Sequence, residues 1–216
     1  MSIQMMLLQL GKGMIVSVEI FILTLLFSLP LGLVIAFGRM SKNFLIRTIT
    51  KVYISIMRGT PLMLQLLVVY FAPYYIFGMK IAPSYRFIAV IIAFAINYAA
   101  YFAEIYRSGI ESMPIGQYEA AEVLGYTKTQ TFMLIILPQV IKIIMPSVTN
   151  EVITLVKDTS LAVTLAYAEV FSLAKQISAS QSSFMPFLIA GVFYFVANYV
   201  VEFLMVRIEK SMDYYK

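Results

Sequence analysis

The chain has 216 residues, of which 61% are hydrophobic and only 12% are charged, and its mean hydropathy is +0.88. Soluble domains carry about 25% charged residues, so this composition excludes an ordinary soluble protein and indicates one domain in a membrane. The absence of Cys and His excludes disulfides, thiol catalysis, Cys/His metal sites and histidine acid–base chemistry.

Five apolar stretches predict transmembrane helices, because a bilayer core of about 30 Å requires roughly 20 mainly apolar residues in a helix. The first residues lack a cationic start followed by a small-residue cleavage site, so we expect no cleaved signal peptide. We therefore predict that residues 1–216 form a single all-α membrane domain with about five transmembrane helices. The predicted spans are residues 14–37, 62–77, 87–106, 147–171 and 184–206.

The connections between these spans differ in character. A basic stretch follows the first span and ends in Arg58-Gly59-Thr60-Pro61, which predicts a break before a helix with Pro near its first turn. Residues 107–146 are polar in their first part and apolar in their second. Pro138 and Pro146 interrupt the apolar part, so we expect it to lie along the membrane surface as it enters the fourth span. Residues 172–183 are predicted to be a polar loop.

The distribution of Lys and Arg predicts the orientation of the chain. Membrane proteins concentrate these residues on cytoplasmic segments. With the N-terminus outside and the C-terminus inside, eleven lie on cytoplasmic segments, four on external segments and Lys157 within a span. This bias places residues 107–146 in the cytoplasm and accounts for the net charge of +5 without a nucleic-acid partner. The cytoplasmic set is Arg39, Lys42, Arg47, Lys51, Arg58, Arg107, Lys128, Lys142, Arg207, Lys210 and Lys216, and the external set is Lys12, Lys80, Arg86 and Lys175.

Two predicted spans carry polar side chains on one helical face. Ionisable groups inside a bilayer are costly unless they face the bundle interior, water or a partner. The amide of Asn97, the hydroxyl of Tyr101 and the carboxylate of Glu151 suit a zwitterionic solute, and the carboxylate favours an ammonium or guanidinium group. The candidate substrate-binding residues are Asn97, Tyr101, Glu151, Thr154, Lys157 and Asp158.

A purely structural interpretation stays open for several of these charged groups. Lys157 is also placed to pair with Asp158 or Glu151 and so to join helices. Glu104 is also placed to lie beside Arg107 at the inner interface of the membrane.

The polar part of the 107–146 segment contains a short helix-compatible run. Residues 116–124 favour a helix, and Gly125 is placed to end it. The small side chains of Ala120 and Ala121, next to Glu119, would let another backbone or a groove come close. This pattern suits a docking element, although an amphipathic surface helix without a partner would show it too.

These residues carry a resemblance to a known family. Glu119-Ala120-Ala121, followed by Gly125, Ile135 and Leu137-Pro138, resembles the EAA loop of bacterial ABC-importer permeases. Two further stretches resemble the polar amino-acid branch of that family, in which histidine, arginine and glutamine permeases belong. They are Arg58-Gly59-Thr60-Pro61-Leu62 with Gln65, and Lys157-Asp158-Thr159-Ser160-Leu161.

The resemblance implies a type I importer permease in a bacterial inner membrane, which moves an amino acid by alternating access. The EAA loop would form a coupling helix in a cleft of an ATPase subunit, with Glu119, Ala120, Ala121 and Gly125 as coupling residues. The implied partners are an ATPase dimer that binds ATP and Mg, a second permease copy or close homologue, an extracytoplasmic solute-binding protein, and membrane lipid. The chain has no G-x-x-x-x-G-K-[S/T] loop and no metal set, so we expect no cofactor, metal or enzymatic activity on it.

Other protein classes and other substrates would also use some of these residues. A single-component secondary transporter or channel would use the same polar faces, but no internal repeat is visible. A membrane enzyme would need carboxylate or Ser/Lys chemistry, for which Lys157 and Ser160 are the available pair. Because Glu151 only accepts hydrogen bonds, we favour a basic amino acid (arginine, histidine or lysine) as substrate, with glutamine or another polar amino acid as the second choice.

Overall fold

The computed structural model describes residues 2–212. Met1 and residues 213–216 lie outside the described residues, and so does Lys216, which was counted above among the cytoplasmic cations. The described residues form only helices, joined by short connections. A π-helical segment, Thr131–Ile136, precedes α7, and a 3₁₀ segment, Thr159–Leu165, follows it. The α-helices are α1 Ile3–Arg39, α2 Phe44–Gly59, α3 Leu62–Phe77, α4 Tyr85–Glu111, α5 Ile115–Val123, α6 Lys128–Gln130, α7 Leu137–Asp158, α8 Val170–Gln181 and α9 Met185–Ser211.

Four helical runs are long and apolar enough to cross a membrane, and α2 with α3 makes a fifth if the bent pair is one span. The four are α1, α4, the run Lys128–Leu165, and α9. The prediction of an all-α membrane protein with about five spans is confirmed. The direction of insertion stays a prediction from the charge distribution.

The helices differ from the predicted segments in several places. The run that holds the predicted fourth span (residues 147–171) begins at Lys128 and ends at Leu165. The basic stretch after the first predicted span is helical, because Asn43 caps α2 by accepting a hydrogen bond from the Leu45 amide at 2.9 Å. The prediction of a polar loop over residues 172–183 is wrong, because most of these residues lie in α8. The N-cap of α8 is Glu169. Both helices are rich in polar residues, so their sequences lack the continuous apolar run of a membrane span.

The core of the fold is the contact between α1 and α4, the most extensive between any two helices of residues 2–212. Small buried residues recur along one face of α1 and let the two backbones approach. A Cβ atom added to Gly32 would lie 2.9 Å from Cβ of Phe102 and 3.1 Å from the carbonyl oxygen of Ala99. The buried small residues of this face are Gly13, Ser17, Thr24, Ser28, Gly32 and Ala36, of which Gly13 packs against Val170 and Leu173 of α8 and not against α4.

The predicted break at Thr60-Pro61 is present, and α2 and α3 meet there at an angle of 113°. The Gln65 side chain closes the corner, since its Nε2 donates to the carbonyl of Met57 at 2.9 Å and to Oγ1 of Thr60 at 2.8 Å. This link fixes the corner at which the first helical turn of α3 begins. The bend therefore turns the end of α2 toward α4 and α7, where the polar side chains gather.

The apolar part of the 107–146 segment comprises the π-helical segment and the first residues of α7, with no break in the helix between them. Pro138 lacks the N–H that would continue the α-helical ladder, and the preceding residues take the wider π-helical spacing. The Gln139 side chain donates to the carbonyl of Ile135 at 2.7 Å, so it satisfies one acceptor in this segment. The π-helical segment and α7 therefore form one continuous helix, and the position of the apolar part along the membrane surface stays a prediction from the sequence.

Candidate functional site

A polar cavity of about 380 Å³ lies between α4, α7 and the corner that joins α2 to α3. It brings together five of the six predicted substrate-binding residues, from two helices that are far apart in sequence. The lining residues are Thr60, Pro61, Leu62, Asn97, Tyr98, Tyr101, Glu151, Thr154, Asp158 and Leu161. We call it the first cavity.

A second cavity of about 400 Å³ shares Tyr101 and Glu151 with the first. Its other residues come from the end of α2, the C-terminal part of α4 and the N-terminal part of α7, so it lies at the end of the bundle that carries α5. The two cavities therefore follow one another along α4 and α7. The second cavity is lined by Arg58, Tyr101, Glu104, Ile105, Arg107, Ser108, Gly109, Ser112, Ile143, Ile144, Ser147 and Glu151.

The side-chain amide nitrogen of Asn97 forms hydrogen bonds within the protein. Its Nδ2 donates to Oε1 of Gln65 at 2.9 Å and to the carbonyl of Met57 at 3.1 Å, and the residue is buried. These bonds tie α4 to the α2–α3 corner. Asn97 thus shapes the wall of the first cavity, and its amide protons are already used within the protein.

The charged residues of the second cavity fall into paired and unpaired groups. Arg107 is bound to Glu104 through Nε at 2.7 Å and also pairs with Glu111. The interpretation of Glu104 as a partner of Arg107 is therefore confirmed. Arg58 and Glu151 form no salt bridge, with each other or with any other residue from 2 to 212.

Lys157 lies apart from the other candidate residues. Its side chain is exposed, it lines neither cavity, and it forms no salt bridge within residues 2–212. Thr154 is also exposed but lines the first cavity.

Two residues of the site were not predicted as site residues from the sequence. Arg58 lies with its guanidinium carbon 5.3 Å from the centroid of the Tyr101 ring, a cation–π distance. The hydroxyl of Tyr98 donates to Oδ2 of Asp158 at 2.7 Å. The predicted helix break at Arg58-Gly59-Thr60-Pro61 could have indicated that Arg58 belongs to the site. Nothing in the sequence indicates Tyr98 except its position next to Asn97.

The predicted docking element is present as α5, and Gly125 ends it with φ +80°. Ala120 is exposed, whereas Ala121 is only 1% exposed, so the two alanines do not form one surface as the sequence suggested. Glu119 is exposed beside them. Large apolar side chains at the two ends of α5 are open to the surroundings: Ile115 at 74%, Val123 at 87% and Leu124 at 73% exposure.

A family model described as "Binding-protein-dependent transport system inner membrane component" matches residues 28–214. The chain belongs to this family. The permease is also 36% identical over 202 residues to a putative glutamine transport system permease protein of Rickettsia conorii, which covers 93% of this chain and 91% of the relative. It is 34% identical over 208 residues to the L-cystine transport system permease protein of Bacillus subtilis, which covers 95% of this chain and 87% of the relative.

A solved structure agrees with these relatives. The crystal structure of an amino acid ABC transporter with histidines has a chain that is 34% identical, with a TM-score of 0.85 and coverage of 94% of both chains. The permease is accordingly a multi-pass inner-membrane component of an amino-acid ABC importer. Its relatives are transport components, not enzymes, and the family does not favour a single-component secondary transporter or channel.

Proposed function

We propose that the two cavities between α4 and α7 are the part of the translocation path that this permease contributes, and that the favoured solute is a basic amino acid. The observation that carries the proposal is Glu151, a carboxylate without a salt bridge within residues 2–212 that lines both cavities. A charged group in such a position is costly unless it meets a charged ligand, a partner or water. Glu151 would therefore bind the cationic group of the solute.

The other candidate residues would assist Glu151 in distinct ways. Tyr101 lines both cavities, as Glu151 does, and would offer its hydroxyl there, while Thr154 would offer one in the first. Asp158 is oriented by Tyr98, and Asn97 supports the wall that faces it. Lys157 lines neither cavity in this conformation. A role in binding the solute would therefore require a movement of α7 or a contribution from a second permease.

The charge of Glu151 favours one class of solute over another. Histidine in the related solved structure is consistent with a basic amino acid, and the glutamine and cystine relatives support a polar amino acid without a net charge. An acceptor-only carboxylate binds an ammonium or guanidinium group more strongly than a neutral amide. Arginine, histidine or lysine is therefore the first choice, and glutamine or another polar amino acid the second.

The surface of α5 supports a docking partner. Ile115, Val123 and Leu124 are exposed at the two ends of α5, on either side of the exposed Ala120 in sequence, and exposed apolar groups that gather in one region often mark a surface that a partner covers. We assign the covering partner to an ATPase subunit, which would bind ATP and Mg. A second permease copy or close homologue and an extracytoplasmic solute-binding protein complete the proposed importer. ATP binding would shift the pair between inward- and outward-open states.

Reconstitution of the permease with its ATPase and solute-binding protein in liposomes tests this function. Uptake of radiolabelled arginine should require ATP inside the proteoliposomes and the binding protein outside. Uptake that proceeds without ATP would contradict the importer assignment. Single-component uptake driven by a proton gradient would favour a secondary transporter instead.

The role of Glu151 is tested in the same vesicles by Glu151→Gln. The amide keeps the size and one acceptor but loses the charge, so arginine or histidine uptake should fall about ten-fold or more, and glutamine uptake should fall less. Equal loss for charged and neutral solutes would mean that Glu151 has a structural role. Glu19→Gln is a matched control, because Glu19 is an exposed carboxylate that lines neither cavity.

A further inference from the structure

Two opposite charges face the second cavity without neutralising each other. Arg58 and Glu151 both line it. No salt bridge within residues 2–212 involves either group. A cation and an anion held apart on one cavity wall complement a ligand that itself carries both charges.

The neighbouring charges of the same cavity are already occupied. Arg107 donates from Nε and a terminal nitrogen to Glu104, and its other terminal nitrogen pairs with Glu111. Of the two arginines that line the cavity, only Arg58 therefore has a guanidinium that no carboxylate of residues 2–212 occupies. Of the two carboxylates that line the cavity, Glu104 is bound to Arg107, and Glu151 has no salt bridge within residues 2–212.

Arg58 is also held in place for a ligand. It lies in the last turn of α2, immediately before the corner that Gln65 closes. Its guanidinium carbon is 5.3 Å from the centroid of the Tyr101 ring, and Tyr101 lines both cavities. A guanidinium positioned over an aromatic face keeps its N–H groups available at its edge, where a carboxylate binds in a bidentate manner.

We propose that Arg58 binds the α-carboxylate of the transported amino acid, and that the second cavity is a separate station in which Glu151 keeps the cationic group. The amino acid would pass from the first cavity to the second while it remains at Glu151 and Tyr101, the residues that both cavities share. This assignment rests on the proposed function and adds to it the group that recognises the carboxylate. It predicts that a solute without a carboxylate gains nothing from Arg58.

Direct binding to the purified permease–ATPase complex, without nucleotide and without the solute-binding protein, tests the assignment. The probes are L-arginine and agmatine, which lacks the carboxylate, together with L-glutamine and its carboxamide. Arg58→Gln should weaken binding of the two amino acids on the order of ten- to hundred-fold, the effect of losing a hydrogen bond to a charged group. Binding of agmatine and of glutamine carboxamide should stay unchanged.

Two further variants separate recognition from folding. Arg58→Lys keeps the charge but not the bidentate geometry, so it should recover part of the lost affinity for the amino acids only. Lys51→Gln removes another exposed cation of α2 that lines neither cavity, and it should leave the binding of all four probes unchanged. Size-exclusion profiles of the complexes should coincide.

The outcomes distinguish this assignment from the proposed function. Equal weakening of amino acids and their carboxylate-free analogues by Arg58→Gln would overturn it, as would no weakening at all. If Glu151→Gln reduces binding of arginine while Arg58→Gln does not, the substrate path stands and only the role of Arg58 is wrong. If the wild-type complex binds none of the amino acids, the proposed path and the role of Arg58 are both wrong.

Discussion

The hydroxyl of Tyr98 in α4 donates a hydrogen bond of 2.7 Å to Oδ2 of Asp158, the last residue of α7. Tyr98 is only 2% exposed, and both residues line the first cavity. The bond joins the middle of α4 to the point at which α7 gives way to the 3₁₀ segment. It therefore fixes the carboxylate of Asp158 in the wall of the cavity and holds this end of the cavity together.

The strength of this link is the first prediction. Tyr98→Phe removes the donor and leaves the partly buried carboxylate of Asp158 with one bond fewer, so we expect a loss of stability of about 1–3 kcal/mol. A double-mutant cycle with Asp158→Asn, followed by thermal unfolding in detergent, measures the coupling between the two side chains. Additive effects of the two changes would show that the hydrogen bond contributes no stability.

The two alanines of α5 give the second prediction, since one is exposed and the other buried. Ala120→Leu adds bulk at the proposed docking surface without filling the interior, so it should abolish ATP-driven uptake and leave the melting temperature unchanged. Ala121→Leu forces a larger side chain into a packed position and should cost about 1–3 kcal/mol of stability. Proteoliposome uptake and thermal unfolding of both variants measure the two effects.

The pair provides its own control. Normal ATP-driven uptake by the Ala120→Leu variant would contradict a docking role for this face of α5. An Ala121→Leu variant as stable as the wild type would show that the 1% exposed site has room for a larger side chain.

The walls of the first cavity are predictable from the sequence, because a helical period of 3.6 residues brings Asn97 and Tyr101 to one face and Glu151, Thr154 and Asp158 to another. The end of α5 is predictable as well. Gly125 has a positive φ that other residues adopt at a cost, so its position marks a helix end.

The role of Arg58 and the separation of Lys157 from the cavities are not predictable in this way. Arg58 reaches the second cavity because α2 and α3 meet at 113°, and that angle depends on side-chain bonds from Gln65 and Asn97 across three helices. The helical period shows which residues share a face of one helix. It does not predict the angle between two helices, and that angle decides which cavity a side chain near the corner lines. Lys157 falls near the edge of the polar face of α7, where a small rotation of the helix decides whether it faces the cavity or not.

The close contact of α1 with α4 gives the third prediction. Gly32→Ala would place a Cβ atom 2.9 Å from Cβ of Phe102 and 3.1 Å from the Ala99 carbonyl oxygen, so the helices must move apart. We expect a loss of about 1–3 kcal/mol, measured by thermal unfolding in detergent. Gly191→Ala in α9 is the control, since a Cβ atom there has no neighbour within 4 Å. Alanine at Gly191 should be neutral or stabilising by up to about 1 kcal/mol.

If both glycine variants melt at the wild-type temperature, the spacing between α1 and α4 is not limited by Gly32. If both are destabilised equally, the effect belongs to the loss of glycine in general and not to this contact.

Glu169 is a buried carboxylate outside the helical runs that are long enough to cross the membrane. It caps α8, accepting from the amide of Ser172 at 2.6 Å and of Phe171 at 2.7 Å, and it accepts from the hydroxyl of Tyr194 in α9 at 2.9 Å. It thus joins α8 to α9. Burial raises the pKa of Glu169 above its ordinary value, because it disfavours the charged form more than the three hydrogen bonds favour it.

The fourth prediction concerns the loss of this carboxylate. Glu169→Ala removes the cap, which costs about 1 kcal/mol, and takes one acceptor from the half-buried hydroxyl of Tyr194, which costs up to about 1 kcal/mol more. Glu169→Gln keeps an acceptor and should lose less. Melting temperatures of the two variants in detergent at one pH test this order, and a Gln variant that is as unstable as the Ala variant would contradict it.

The pH dependence of the same variants follows from the raised pKa. The folded protein holds the Glu169 proton more tightly than the unfolded chain, which releases its proton near the ordinary glutamate pKa of about 4.3. As the pH rises from that value through the raised pKa of the folded state, the wild type therefore loses stability that it had at lower pH. Glu169→Gln has no proton to release, so the stability advantage of the wild type over this variant should shrink as the pH rises through that interval. Melting temperatures of both proteins measured from about pH 4 to 8 cover it, and an advantage that grows with pH would show that the pKa of Glu169 is lowered in the folded protein.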